Sequence, residues 1–276
     1  MTLLFIGDIV GRPGRDLLRR HLKALAASLA VDLVIANGEN AAGGAGITRD
    51  NANEIFGSGV DVITTGNHVW DKREALQFIG GEPRLIRPAN YPDGTPGLGS
   101  YVAVSGTGVK VGVVNVMGRV FLHALDDPFR AADREIARVK EHGAQVVFVD
   151  MHAETTSEKV ALGWYLDGQV AAVVGTHTHV QTADERILPG GTACLTDAGM
   201  TGPHNGVIGM DKTAVIARFV TGLPGRFEPA TGDVRLHGVT VTTDPTTGKA
   251  LAIARVALTE NQLKEITDRA SAVPGA

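Results

Sequence analysis

Leu3-Leu4-Phe5-Ile6-Gly7-Asp8 is an apolar run of four residues that stops at a glycine and a carboxylate. The same order returns twice, at Leu33–Ala36 followed by Gly38-Glu39-Asn40 and at Val60–Thr65 followed by Gly66-Asn67-His68. Apolar residues at helical spacing follow over residues 15–29 and 71–78, and Thr48 is a suitable N-cap for a helix between them. This alternation predicts parallel strands joined by right-handed crossovers.

The middle of the chain predicts a hairpin and two more strands, and the half after about residue 186 predicts a second sheet. Tyr101–Val104 and Val109–Val116 have the pattern of a hairpin, and Val146–Val149 and Val170–Val174 are further buried strands separated by a helical stretch. After about residue 186, short β runs broken by Gly, Pro, Asp and Thr indicate antiparallel strands. We therefore expect an α/β fold in which two sheets pack face to face with helices outside.

The end of the chain is expected to close this sandwich. Val239–Thr243 and Leu251–Leu258 flank a turn at residues 244–248, and a helix is expected from Glu260 to about Ala270, before a loose tail over residues 272–276. A chain of 276 residues is within the size range of one α/β domain. We expect residues 1–276 to form a single domain.

Composition and charge restrict the classes of function. Hydrophobic residues make up 43% of the chain and charged residues 20%, which is typical of a folded enzyme and excludes a disordered chain. The formal net charge of −4 provides no basic field, so strong binding to a nucleic-acid polymer is disfavoured. A small anion held by metal ions is still allowed.

The chain contains one cysteine, Cys194, so it cannot form an internal disulfide, which suits a reducing cytosol. No apolar run approaches ~18 residues, and the apolar start lacks a cationic lead, so neither a membrane span nor a signal peptide is expected. We expect a cytoplasmic protein with no membrane partner.

Residues able to bind metal ions follow five of the predicted strands. They are Asp8, Glu39, Asn67, His152 and His177. Because the carboxyl ends of strands in an α/β fold share one edge, these side chains are expected to meet in one crevice. His179 lies two residues after His177, and on an extended segment both side chains would point the same way.

Each of these residues also has an ordinary structural interpretation. An Asp or Asn after a strand is often a turn former or a helix cap, and a lone histidine is often part of a core. The occurrence of all of them at strand ends favours a metal site. Carboxylates, an amide and imidazoles without a thiolate suit Mn, Fe, Zn or Co better than Mg or Ca. Two such ions can hold a phosphoryl oxygen and convert water to hydroxide near neutral pH.

The ordered motifs resemble those of calcineurin-like metallophosphoesterases. They are Gly7-Asp8, Gly38-Glu39-Asn40, Gly66-Asn67-His68, His152 and Gly175-x-His177-x-His179. The resemblance implies a four-layer α/β/β/α sandwich with a dinuclear metal site. It implies that Asp8 and His179 bind one ion, that Glu39 bridges the two ions, and that the second ion is bound by Asn67, His152 and His177. His68 would be the catalytic proton donor to the leaving oxygen.

Three positions depart from the usual motifs of this superfamily. Val10 replaces the first histidine, Ala42 replaces a later acidic residue, and Val69 follows His68, although Asp71 is nearby. Asn40 could supply an oxygen to the first ion instead. With Met117-Gly118-Arg119 and Thr201-Gly202-Pro203, these departures resemble the YmdB-like bacterial branch, which is associated with cyclic-nucleotide phosphodiesterase activity, notably on 2′,3′-cyclic AMP.

Three further residues are candidates for substrate binding. Arg12 lies in a Gly- and Pro-rich turn before a helix, where it could bind an anion or only shape the turn. Arg119 follows a strand and could pair with a phosphate or with a carboxylate. His204 could lie over the metal crevice or on a surface loop.

The sequence therefore predicts a metallophosphoesterase that hydrolyses small phosphodiesters, such as 2′,3′-cyclic AMP, by metal-activated hydroxide. The expected cofactors are two divalent or trivalent transition-metal ions, Fe or Mn ahead of Zn or Co. Two alternatives are open: a phosphomonoesterase or protein phosphatase, and a metal-bound regulatory protein acting through RNA or a protein partner. A homo-oligomer is also compatible with the sequence.

Overall fold

The computed structural model describes residues 1–272, so residues 273–276 of the expected domain and of its expected loose tail lie outside it. Two β-sheets face each other, and helices cover both outer faces. The predicted four-layer α/β/β/α sandwich is confirmed. The helices are α1 (Gly11–Ser28), α2 (Arg49–Gly57), α3 (Ala75–Phe78), α4 (Pro128–Glu141), α5 (Thr156–Tyr165), α6 (Lys212–Thr221) and α7 (Glu260–Ser271), with a 3₁₀ turn at Ile79–Gly81.

The strands form two sheets. They are β1 (Thr2–Ile6), β2 (Asp8–Ile9), β3 (Leu33–Asn37), β4 (Val62–Thr64), β5 (Ser100–Val104), β6 (Lys110–Met117), β7 (Val146–His152), β8 (Ala172–Thr176), β9 (Arg186–Ile187), β10 (Ala193–Leu195), β11 (Met200–Pro203), β12 (Val234–Asp244) and β13 (Lys249–Thr259). The first sheet has the order β2-β11-β12-β1-β3-β4 with β13 paired to β12, and the second has the order β5-β6-β7-β8-β10-β9.

Parallel pairing dominates where the metal-binding motifs occur. β1, β3 and β4 are parallel, as are β6, β7, β8 and β10. The predicted hairpins β5–β6 and β12–β13 are both present. The late strands divide between the sheets, because β12 pairs antiparallel with β1 and brings the second hairpin into the first sheet.

The continuous apolar run of β1 is explained by burial on both faces. Leu4 and Ile6 pack with the helices α1, α2 and α7, whereas Leu3 and Phe5 point into the space between the sheets. There the Phe5 ring lies 4.9 Å from the ring of Phe148 on β7. Side chains alternate between the two faces of a strand, so a strand covered on both faces needs no polar positions.

Local signals set several helix boundaries. Thr48 accepts a hydrogen bond from the amide of Asn51 and caps α2, as predicted. The predicted C-terminal helix is α7, which starts with a capping box between Thr259 and Gln262. The helix α4 carries the buried residues Ile136 and Val139 against the second sheet. In residues 1–272, no helix is both long and apolar enough to cross a bilayer.

Candidate metal centre

The strand ends bring the expected metal-binding residues together. Asp8 begins β2, Glu39 follows β3, Asn67 follows β4, His152 ends β7 and His177 follows β8. Ligand atoms of Glu39, His152 and His177 all lie within 4.8 Å of one another. The two sheets therefore contribute to one cluster, which the adjacent strand ends place at a single edge of the sandwich.

The side chains of this cluster are close enough to share a cation. The Nε2 atom of His152 lies 2.9 Å from Asn67 Oδ1 and 3.1 Å from Glu39 Oε1. The rings of His152 and His177 have centroids 4.8 Å apart. His179 Nε2 lies 3.9 Å from Asp8 Oδ1, which brings Asp8 and His179 together at the same cluster.

Buried oxygen atoms in the cluster lack hydrogen bonds. Asp8 Oδ1 and Asn40 Oδ1 are buried and have no hydrogen-bond partner among residues 1–272. Burying such an atom without a partner costs free energy, which a bound cation would offset. Burial opposes ionisation of Glu39, but the facing His152 outweighs it and lowers the pKa of Glu39 to about 2. The donor set of oxygen and imidazole ligands fits a transition-metal ion.

A buried hydrogen-bond chain holds the ring of His152. Thr176 Oγ1 donates to Asp150 Oδ1 at 2.7 Å and lies 2.9 Å from His152 Nδ1. Because a hydroxyl has one proton, Thr176 accepts from Nδ1–H, and Nε2 is the ring nitrogen that faces Glu39 and Asn67. Burial raises the pKa of Asp150 to about 6.

The same nitrogen of His152 is a proton site. Burial disfavours the charged ring, but Glu39 outweighs it and raises the pKa of His152 to about 9. A metal ion therefore has to displace a proton from Nε2, and its affinity is expected to depend on pH.

The loop that carries His177 and His179 is not extended. His177 has φ of 103° and His179 has φ of 66°, so the expectation of an extended segment is wrong. Both residues occupy the left-handed region, which is unfavourable for residues with a Cβ and is maintained by surrounding contacts. Between them, the amide and hydroxyl of Thr178 donate to Asp197 Oδ2 at 3.1 and 2.8 Å.

Two glycines of the motifs are required by close packing. A Cβ on Gly66 would lie 2.2 Å from ring atoms of His152, and a Cβ on Gly175 would lie 1.8 Å from the carbonyl oxygen of Thr196. Real Cβ atoms do not approach other atoms this closely. The glycines before Asn67 and His177 therefore let the strand ends converge on the metal cluster.

His68 lies at the entrance of the cluster with a defined orientation. Its amide donates to Glu39 Oε2 at 2.8 Å, and its ring Nδ1 lies 2.8 Å from Asp71 Oδ2. The side chain is 36% exposed, so its Nε2 edge can reach a ligand. Asp71 thus orients the His68 ring. The sequence had left this partner undefined, because Val69 stands where the superfamily usually has an acidic residue.

An open cavity of about 690 Å³ lies over the cluster. It is lined by Glu39, Asn40, His177, His179 and His68, and also by Ala42–Ala45, Lys72, Glu154, Thr178, Ile208, Met210, Arg226 and Phe227. Glu154 Oε2 lies 3.0 Å from His177 Nε2. Lys72, Glu154, Arg226 and Phe227 were not predicted from the sequence as site residues. Only Lys72 and Glu154 carried a signal, since each lies within four residues of a motif.

Three predicted substrate-binding residues lie elsewhere. Arg12 lines a separate depression with Arg15 and Glu54. Arg119 lies 3.9 Å from Asp127 through its guanidinium group. The ring of His204 packs against His237 with centroids 4.6 Å apart. None of the three belongs to the described lining of the cavity over the metal cluster.

Known proteins resemble this chain over most of its length. Residues 4–256 match the family described as YmdB-like protein. A Bacillus subtilis (strain 168) protein named 2′,3′-cyclic-nucleotide 2′-phosphodiesterase is 50% identical over 264 residues, which are 95% of this chain and 99% of that protein.

Solved structures show the same similarity. A hypothetical protein from Thermus thermophilus has a TM-score of 0.86 and 44% identity, covering 94% of this chain and 99% of its own. A structure described as a novel phosphatase from Mycoplasma pneumoniae has a TM-score of 0.87 and 33% identity, covering 94% and 93%. These matches confirm the resemblance inferred from the motifs. The chain belongs to the family of YmdB-like proteins.

Proposed function

We propose that this protein is a metal-dependent phosphodiesterase that hydrolyses small phosphodiesters, in particular 2′,3′-cyclic nucleotides such as 2′,3′-cyclic AMP. The observation that carries the proposal is the pair of buried oxygens on Asp8 and Asn40 without hydrogen-bond partners in the described chain, beside the carboxylate of Glu39 and the imidazoles of the cluster. The name of the Bacillus subtilis relative, at 50% identity, supports the choice of substrate.

The residues divide into two ligand groups around Glu39. Asp8 and His179 would hold one ion, with Asn40 supplying an oxygen in place of a histidine at Val10. A second group, Asn67, His152 and His177, would hold the other. Fe or Mn suits this set ahead of Zn or Co. Bound there, the ions neutralise charge on the phosphoryl oxygens and lower the pKa of water.

His68 is assigned the role of proton donor. Its Nδ1 faces the carboxylate of Asp71 at 2.8 Å, which leaves Nε2 to carry a proton toward the cavity. Cleavage of the bond between phosphorus and O2′ leaves an alkoxide, a poor leaving group unless it is protonated as the bond breaks. A hydroxide derived from water forms a bond to phosphorus as the bond to O2′ breaks, and the proton passes from Nε2 to O2′. The product is a 3′-phosphomonoester with a free 2′-hydroxyl.

Two cations complete the electrostatics of the cavity. Lys72 and Arg226 line it, and neither belongs to the metal-binding set. A phosphodiester brings a negative charge, and its hydrolysis product brings a second one. Lys72 and Arg226 are assigned to the neutralisation of this charge. The cavity thus combines acidic ligands for metal ions with basic groups for an anionic substrate.

The net charge of the chain and its single cysteine bear on the size of the substrate and on the compartment. A net charge of −4 disfavours a long nucleic-acid partner, so the substrate is proposed to be a small phosphodiester. The single Cys194 suits work in the reducing cytoplasm.

A phosphomonoesterase is the second candidate, because the Mycoplasma pneumoniae relative is described as a phosphatase. The two activities differ in the substrate charge that the cavity accepts. A monoester carries one more negative charge than a diester, so it depends more strongly on Lys72 and Arg226. A regulatory protein that keeps the metal ions without turnover is the third candidate.

The proposal is tested with a panel of substrates and protein of known metal content. The panel consists of 2′,3′-cyclic AMP, 3′,5′-cyclic AMP, a bis-aryl phosphodiester and an aryl phosphomonoester. Asp8→Ala removes a proposed ligand, and Asp93→Ala removes an exposed aspartate as a matched control. Preferred cleavage of 2′,3′-cyclic AMP that only Asp8→Ala abolishes supports the proposal. Preference for the monoester selects the phosphatase, and no turnover by metal-loaded protein selects the regulatory protein.

A further inference from the structure

Between β11 and β12, residues 204–233 leave the sheet as an excursion that supplies part of the cavity lining. This excursion contains α6, and its contributions to the cavity are Ile208, Met210, Arg226 and Phe227. It is tied to the metal centre, because His179 Nδ1 donates to the carbonyl oxygen of Ile208 at 2.9 Å. The excursion therefore lies within reach of a substrate whose phosphate is at the metal cluster.

Phe227 differs from Phe219, the other phenylalanine of the excursion. Phe219 on α6 is 84% exposed and does not line the cavity, whereas Phe227 is half-buried and does. The guanidinium carbon of Arg218 lies 5.4 Å from the centroid of the Phe227 ring and covers it. A cation over one face orients the ring and leaves the remaining ring surface as the part that can face the cavity.

The cavity is larger than a phosphate group requires. Its volume of about 690 Å³ is within the range of pockets that bind whole small molecules. The metal ligands account for the phosphate. Ile208, Met210 and Phe227 are the large apolar residues of the lining, and they have no role in the chemistry at phosphorus.

We infer that Phe227, with Ile208 and Met210, forms a binding subsite for the nucleobase of the substrate. The inference rests on the proposed function and names the residue that distinguishes a nucleotide from other phosphodiesters. Stacking of a base on an aromatic ring tolerates every base, since each has a π-face. The subsite therefore accepts all four bases and favours the larger purines.

The decisive comparison uses two substrates that differ only in the base. One is 2′,3′-cyclic AMP, and the other is 1-O-methylribose 2′,3′-cyclic phosphate, in which a methoxy group replaces adenine. For the wild-type protein, kcat/KM for the nucleotide is expected to exceed that for the base-free substrate by about tenfold or more. In Phe227→Ala, the nucleotide is expected to lose about this factor while the base-free substrate changes less than about twofold. Phe227→Trp retains the preference, and Phe219→Ala is the matched control.

The outcomes separate this inference from the function on which it rests. Equal kcat/KM for the two substrates with the wild-type protein overturns the subsite, and this comparison needs no variant to fold. Parallel losses of both substrates in Phe227→Ala also overturn it, because they indicate a structural role of the ring. If the wild-type protein hydrolyses neither substrate but cleaves a bis-aryl phosphodiester, the proposed function fails and the subsite fails with it.

Discussion

Lys159 Nζ lies 2.7 Å from Asp197 Oδ2, and the two side chains are 2% and 1% exposed. The same carboxylate accepts hydrogen bonds from the amide and hydroxyl of Thr178, while Asp197 Oδ1 accepts from the amide of Gly199. This buried ion pair therefore supports the loop on which His177 and His179 adopt left-handed conformations. The strained loop of the metal centre is maintained from within the protein.

Removal of the cation from this pair is expected to destabilise the fold strongly. Lys159→Met leaves the Asp197 carboxylate buried and without its charge partner, which costs about 3–5 kcal/mol of unfolding free energy. Urea unfolding measures the change. Arg269→Met is the control, because the 3.8 Å pair between Arg269 and Glu265 is exposed and contributes less than about 1 kcal/mol. Equal costs in the two variants would contradict the structural role of the buried pair.

The hydroxyl of Thr176 is expected to control metal affinity through His152. Thr176→Val removes the acceptor of His152 Nδ1–H, so the ring loses its fixed tautomer and metal binding weakens by about 10–100-fold. Thr64→Val is the control, since the hydroxyl of Thr64 donates to Asp150 at 2.5 Å and is not the acceptor of His152 Nδ1–H. Titration calorimetry with Mn²⁺ measures both. The role of Thr176 is rejected when both valine variants lose the same affinity.

The proton donor role of His68 predicts a dependence on the leaving group. His68→Ala is expected to lower kcat for 2′,3′-cyclic AMP by about 10²–10⁴-fold, because the sugar alkoxide needs a proton. An aryl phosphodiester releases a phenolate that needs little protonation, so its kcat is expected to fall much less. Metal content should be unchanged. A uniform loss for both substrates would show that His68 acts on binding or structure instead.

The packed pair of His204 and His237 predicts that the folded protein loses stability in acid. Burial lowers the pKa of His237 to about 4, and the neighbouring His204 and Arg235 add to this effect, while Asp233 opposes it. The unfolded chain takes up this proton near pH 6.5. The folded state does not, so stability contributed by the neutral ring is present above pH 6.5 and is lost as the pH falls toward 4.

The variant His237→Gln tests this directly. Urea unfolding between pH 7 and 4 is expected to show a smaller loss of stability in His237→Gln than in the wild-type protein. His123→Gln, which changes an exposed histidine, is expected to follow the wild-type curve. Parallel curves for wild type and His237→Gln would contradict the shifted pKa.

The core of the fold was predictable because its signals are local and repeated. Apolar runs that end in Gly plus a metal-binding residue identified β1, β3 and β4, and the spacing of Leu18, Leu22 and Leu25 identified α1. The helix α4 was missed, although Asp127 caps it and Pro128 follows, a typical start signal. The helix α6 was also missed, because Val215 is its only buried residue and no apolar stripe reveals it.

The candidate site was predictable only where ligand chemistry follows a strand. Strand ends converge by topology, so the spacing of Asp8, Glu39 and His152 indicated a shared crevice. The ion pair of Lys159 and Asp197 forms because α5 packs near a loop that is distant in the sequence. No periodic pattern of residues predicts such a contact. Phe227 was missed for the same reason, since its place in the cavity depends on the path of an irregular excursion.

Hydrolysis of 2′,3′-cyclic AMP during stepwise addition of Mn²⁺ to metal-depleted protein is the direct test of a metal-dependent phosphodiesterase. We expect no turnover without metal, a rise that stops at about two equivalents per chain, and no rise in Asp8→Ala. Turnover by the depleted protein, or an equal rise in Asp8→Ala, would contradict a phosphodiesterase built on this metal centre.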